Sequence, residues 1–165
     1  MQADPLDLLH LLFDTARLLR AEAGRRARAR GLSRGAFGVL AALARAPGIT
    51  QRELAERLDM EPITVARLLD RLQARRLVER RPDPRDRRVW RLHLGPEADG
   101  PAAVAAAEVE DLAHQLGATM DPLARQDLIA GLRQIAAALT PPDAALHGGA
   151  MAPAARPVSA LREVA

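Results

Sequence analysis

The residues of this sequence best equipped for chemistry are arginines at ordered spacing, and the chemistry they suit is recognition of a polyanion. Between Pro62 and Leu72, the apolar residues Val65, Leu68, Leu69 and Leu72 recur at helical spacing, which leaves Glu61, Thr64, Arg67 and Arg71 on the other side. A guanidinium at position 67 matches the O6 and N7 acceptors of guanine in a bidentate pair, and Thr64 suits a phosphate or a thymine methyl. A second cluster, Arg80-Arg81-Pro82-Asp83-Pro84-Arg85-Asp86-Arg87-Arg88, is turn-rich and crowded with arginine. Arg85, Arg87 and Arg88 are of the type drawn to the negative potential of a narrow minor groove, with Asp86 placed to hold Arg88 extended. Thr50 and Gln51 stand where a helix N-terminus leaves N–H groups free, a setting that takes phosphate.

These residues must be held by short elements whose limits the sequence marks. Asp4-Pro5 supplies an N-cap and a first-turn proline, and the leucines from Leu6 to Leu19 predict a helix over about 5–29. Its apolar residues cover more than one face, so it needs two burial partners: its own domain and a second subunit. Ser33 caps a second helix that ends at Ala46-Pro47-Gly48. Thr50-Gln51-Arg52-Glu53 reads as a capping box opening a short helix through Leu58, and Pro62 starts the next after a turn at Asp59-Met60-Glu61. Leu77-Val78 and Val89 to Leu94 predict the two strands of a hairpin, with Trp90, Leu92 and Leu94 on its apolar face and the arginines at its tip. Ala98, Ala102, Ala105, Val109, Leu112 and Leu116 then form a heptad-like seam on a helix starting near Pro101, and Leu128, Leu132, Ile135 and Leu139 form another after Asp121-Pro122.

The expected fold is mainly α with a small two-stranded β-wing: a winged helix-turn-helix over 31–95, a helical dimerisation region over 1–30 and 96–140, and a flexible tail over 141–165 rich in Pro, Gly and Ala. In such a fold the second short helix enters the major groove while the hairpin approaches the minor groove.

Composition narrows the function. Hydrophobic residues make up 48% but aromatics only 2%, so the core is built from Leu, Ala, Val and Ile, which favours packed helices. All 24 basic residues are arginine, and their placement matters more than the net charge of +3. From Arg17 to Arg91 there are 20 Arg against 9 acidic residues, whereas the remainder carries 4 Arg against 12. A basic middle between acidic ends is the footprint of a polyanion-binding module.

Cysteine is absent, which removes disulfides, thiolate metal sites and thiol-based sensing, and His10, His93, His114 and His147 show no metal-ligand spacing. No phosphate loop, dinucleotide fingerprint, HExxH or Ser–His–Asp set is present, so neither an enzyme nor a cofactor is expected. No apolar run approaches the ~20 residues that span a bilayer, and no cleavable leader pattern is found, so the expected setting is cytoplasmic, without a membrane partner. The rival reading is a helical scaffold or protein-interaction dimer, which explains the seams but leaves the arginine hairpin unexplained.

The segments Leu54-Ala55-Glu56-Arg57-Leu58, Arg67-Leu68-Leu69-Asp70-Arg71-Leu72, Leu77-Val78-Glu79-Arg80-Arg81 and Asp83-Pro84-Arg85-Asp86-Arg87-Arg88 resemble the signature of the MarR family of transcription regulators, and the Glu61 to Arg67 region is similar to its SlyA-like branch. The resemblance spans roughly residues 5–140. It implies a triangular homodimer held by the terminal helices, double-stranded DNA with a pseudo-palindromic operator as partner, and a ligand-responsive repressor released by a small aromatic or phenolic effector. Phe13 and Phe37 are candidate walls of the effector pocket and Arg17 its candidate carboxylate partner. Three positions depart from the family pattern: Arg76 replaces a glycine, Ala66 a threonine, and Gly95 the threonine that closes the wing.

Overall fold

In a computed structural model, residues 4–140 are described. Asp4 accepts the Leu6 N–H at 3.0 Å and Pro5 opens α1 (Pro5–Ala29), so the helix begins where its capping residues put it. Gly31, at φ 68°, turns the chain out, and the Ser33 hydroxyl accepts the Ala36 N–H to open α2 (Arg34–Arg45). The two residues of β1 (Ile49–Thr50) lead into α3 (Gln51–Leu58) through a complete capping box: Thr50 Oγ1 accepts the Glu53 N–H at 3.2 Å, and Glu53 Oε2 accepts the Thr50 N–H at 2.6 Å. A left-handed Asp59 then ends α3, and Pro62 starts α4 (Pro62–Ala74).

Arg76 follows with φ 56° and sends the chain into β2 (Val78–Pro82), which pairs antiparallel with β3 (Trp90–Leu94). The sheet has three strands in the order β1-β3-β2, one more than the hairpin expected from sequence. Ile49 pairs with Leu92 and Thr50 with Arg91. Two residues are too few to show an alternation, so this strand left no sequence signal.

The chain divides into two compact units, residues up to Leu112 and residues from Ala113 onward. In the first, Leu40, Leu43, Leu54, Leu69 and Leu92 are fully buried with Val39, Val65 and Val78. Burial of each such side chain contributes about 1.5–3 kcal/mol. Ala27 of α1 and Ala98, Ala102 and Ala105 join the same core, so the front of the expected alanine seam is interior packing within one chain. α5 (Asp99–Ala118) begins two residues before Pro101, because a proline in the first turn removes an N–H that has no partner in the helix.

Arg26 ties α1 to the first part of α5, donating to Glu22 at 2.9 Å, to Asp111 at 2.7 Å and to Glu108 at 3.3 Å. Its hydrogen bonds to the carboxylates of Asp111, foremost, and Glu22 hold the Arg26 pKa above its ordinary value, against the opposing effect of burial.

In the second unit α6 (Pro122–Leu139) starts at Asp121, whose carboxylate accepts the Leu123 and Ala124 N–H groups. Leu123, Leu128, Ile129, Leu132 and Leu139 are exposed along it. The tail expected over 141–165 lies outside the described residues.

A candidate nucleic-acid interface

α4 is positioned by its buried stripe. Val65, Leu68, Leu69 and Leu72 face the core, and Glu61, Thr64, Arg67 and Arg71 are all exposed, as the spacing required. Glu61 precedes Pro62 as the N-cap residue but makes no side-chain capping bond. Arg71 Nε donates back to the Arg67 carbonyl at 3.3 Å. Ile63, absent from the candidates read from sequence, is 65% exposed at the same end of the helix. The signal that could have found it was the phase set by Val65, Leu68, Leu69 and Leu72, which turns Ile63 away from the core.

The wing is built around Asp83, the one buried charged residue among those described, which is 9% exposed. Its carboxylate accepts the Arg85 N–H at 2.7 Å, the Asp86 N–H at 3.3 Å and Arg91 Nε at 2.6 Å. The Arg85 amide and the Arg91 guanidinium hold the Asp83 carboxyl below its ordinary pKa, outweighing the opposing effect of burial. Arg91 also donates to the Gly48 carbonyl at 3.1 Å, so it joins the hairpin to the chain leading into β1. Sequence reasoning missed both residues as structural anchors. The signal was present in Asp83-Pro84-Arg85, since an aspartate two residues before a free N–H is an Asx turn.

Asp86 acts through the backbone: it accepts the N–H of Arg88 at 3.0 Å, and its own carbonyl accepts from Val89, so it shapes the turn on which Arg88 sits. Arg85, Arg87 and Arg88 are left exposed at the tip. Arg80, two residues before the tip turn, reaches back to α4 and donates to Asp70 at 2.8 Å and Gln73 at 2.5 Å. The hairpin and α4 are therefore held together by side chains of both.

Trp90 departs from its expected place. It shares a face with Leu92 and Leu94, yet it is 53% exposed, whereas Leu92 is 1% exposed. It pairs with Pro82 at the last step of the β2–β3 ladder, where the hairpin extends past the buried Leu92.

The Thr50 hydroxyl is committed to the α3 cap and Gln51 is half-buried beside it. The three pocket candidates occupy different settings. Phe37 is part of the core, Phe13 is 66% exposed on α1, and Arg17 donates to Asp14 at 3.1 and 3.3 Å.

One departure from the family pattern is explained by a close contact, and another, Arg76, has no structural explanation. A Cβ at Gly95 would lie 2.2 Å from the Arg76 carbonyl oxygen, so the close approach of these segments leaves no room for a threonine. Arg76 itself adopts the left-handed backbone that a glycine in its place would favour.

Comparison with known proteins places this geometry among regulators. The MarR family model matches residues 30–89. A protein of Thauera aromatica assigned to transcriptional regulation of the hcr operon is 31% identical over 80 residues, which make up 48% of this chain and 46% of that protein, so the match spans less than half the length of that relative. The crystal structure of transcriptional regulator PA3341 is 36% identical with a TM-score of 0.74, covering 80% of this chain and 97% of that one. A MarR family regulator from Silicibacter pomeroyi is 25% identical with a TM-score of 0.70, covering 81% of this chain and 90% of that one.

Proposed function

Because the chain belongs to the MarR family of transcriptional regulators, we propose that it is a homodimeric, ligand-responsive repressor that binds double-stranded DNA at a pseudo-palindromic operator. The observation that carries this reading is the pairing of two exposed basic surfaces on one rigid frame. The outward face of α4 presents Thr64, Arg67 and Arg71, and the hairpin tied to it by Arg80 presents Arg85, Arg87 and Arg88 on a turn organised by Asp83 and Asp86. α4 enters the major groove with Arg67 on a guanine edge, and the tip follows the neighbouring minor groove. Glu61 lies at the leading end of the same helix. Phosphate is taken at the start of α3, where the backbone N–H of Gln51 has no partner within the helix.

Residues 31–95 serve as the reading domain, and 1–30 with 96–140 as the dimerisation region. Leu8, Leu9, Leu11 and Leu18 of α1 and the exposed leucines of α6 supply apolar surface for a second copy. A small aromatic or phenolic acid is the effector, with the exposed Phe13 ring and the Arg17 guanidinium as its first contacts and Phe37 as a further apolar wall. The SlyA-like character lies in the Glu61 to Arg67 segment. Genomic footprinting of the purified protein tests the reading: protected sites should contain an inverted repeat, and no protection above background at low salt would overturn it.

A further inference from the structure

We infer that Trp90 is itself a DNA contact, its indole lying against the sugar–phosphate strand that runs between the groove read by α4 and the groove approached by the wing tip. This rests on the DNA-binding reading above and adds a contact of another kind to it. Cross-strand partners lie on the same face of a sheet, and so do residues two apart on one strand. Arg80 is opposite Leu92 and reaches Asp70 and Gln73, so that face of the hairpin is the one turned toward α4. Trp90 is two residues from Leu92 and opposite Pro82, on the same face and one pair nearer the tip. It therefore stands between the level at which the hairpin touches α4 and the level of Arg85, Arg87 and Arg88.

A large aromatic side chain that is 53% exposed in that interval is placed for a ligand and not for the core. The indole body covers the apolar face of a deoxyribose, and its Nε1–H is a donor for a phosphate oxygen. The surrounding charge selects the occupant. Arg85, Arg87 and Arg88 stand exposed at the tip beside Trp90, whereas Arg80 and Arg81 are paired with Asp70 and Glu79, so a second copy presenting the same tip is repelled and a polyanion is drawn in.

The chain holds one tryptophan and no tyrosine, so its emission reports this position alone. The full chain is titrated with a duplex selected from a random-sequence pool, and binding is followed in parallel by gel retardation. The expected result is a blue shift of the emission that saturates together with retardation. Trp90→Ala should bind the selected duplex about tenfold more weakly, a difference of ~1.4 kcal/mol. Trp90→Phe should retain most of the affinity, and both variants should melt as the parent does. Since an indole neutralises no phosphate, the slope of log K against log salt should stay at the parent value in Trp90→Ala, whereas it falls in Arg88→Ala.

Retardation with unchanged emission, or parental affinity in Trp90→Ala, overturns the inference while leaving the DNA-binding reading intact. Emission that shifts with protein concentration in the absence of DNA assigns the face to a second copy and also overturns it. Failure of the parent to retard any duplex removes the DNA-binding reading itself.

Discussion

Arg67 and Arg88 are both exposed arginines, and what separates them is the backbone behind each. Arg67 projects from a helix whose opposite face is locked in the core, so its Cα–Cβ direction is fixed and aims the side chain where a bidentate base contact requires. Arg67→Ala should cost about 1–3 kcal/mol on the selected duplex and relax the preference at one base pair per half-site. An equal loss on every sequence would reassign it to phosphate. Arg88 sits on a turn, and its replacement by Ala should lower the salt slope by about one unit per subunit, with the greatest loss on A·T-rich, narrow grooves. Arg85→Ala should lose affinity evenly across sequences. Stability also has a residue-scale expectation. Arg76 holds a left-handed backbone that costs an L-residue about 1–2 kcal/mol, so Arg76→Gly should leave the melting temperature equal or higher. Gly95→Ala should lower it, because the added carbon meets the Arg76 carbonyl.

Among the elements, the wing depends on a carboxylate and α3 on a cap. The folded state holds the Asp83 pKa below its ordinary value, so its contribution is complete above that ordinary value and is lost as pH falls through the lowered one. Burial, the largest cause, also holds the His93 imidazole on β3 down, so the fold loses stability as pH drops below the ordinary histidine value. Both shifts make the sheet weaker toward acid. Amide exchange of Arg85 and Asp86, followed by NMR on the acid side, should accelerate as Asp83 protonates, and Asp83→Asn should show faster exchange already at neutral pH. Unchanged protection in that variant would mean the turn is fixed by its prolines instead. Thr50→Ala should destabilise the domain by about 1 kcal/mol in urea unfolding, since it removes the side-chain half of the α3 cap.

For the whole molecule the exposed apolar surface is the deciding quantity. Leu8, Leu9, Leu11, Phe13 and Leu18 are each about half exposed or more on α1, far more than a lone chain leaves in water without a use. Sedimentation of the full chain should give a dimer at micromolar concentration, and Leu11→Arg should shift it toward monomer and weaken DNA binding together. Half-sites should lie about one helical turn, roughly 34–36 Å, apart. A parent chain that sediments as a monomer while still retarding DNA would separate the two properties and remove the paired-site model.

How much of this was legible beforehand follows from the range of the forces involved. Helix starts were written into the sequence because caps are local: Asp4-Pro5, Ser33, Thr50 with Glu53, and Asp121-Pro122 each act within a few residues. The outward face of α4 was equally legible, since the period of a helix fixes which residues oppose Val65, Leu68, Leu69 and Leu72. What sequence could not supply were the partners of long-range contacts. That Arg91 would meet Asp83 and the Gly48 carbonyl, that Arg80 would meet Asp70, and that Arg76 and Gly95 would close on each other all depend on how the strands register and pack. Trp90 makes the same point from the other side. Alternation assigned its face correctly, but only the tertiary structure decided that the core ends one pair before it, which leaves the indole in water.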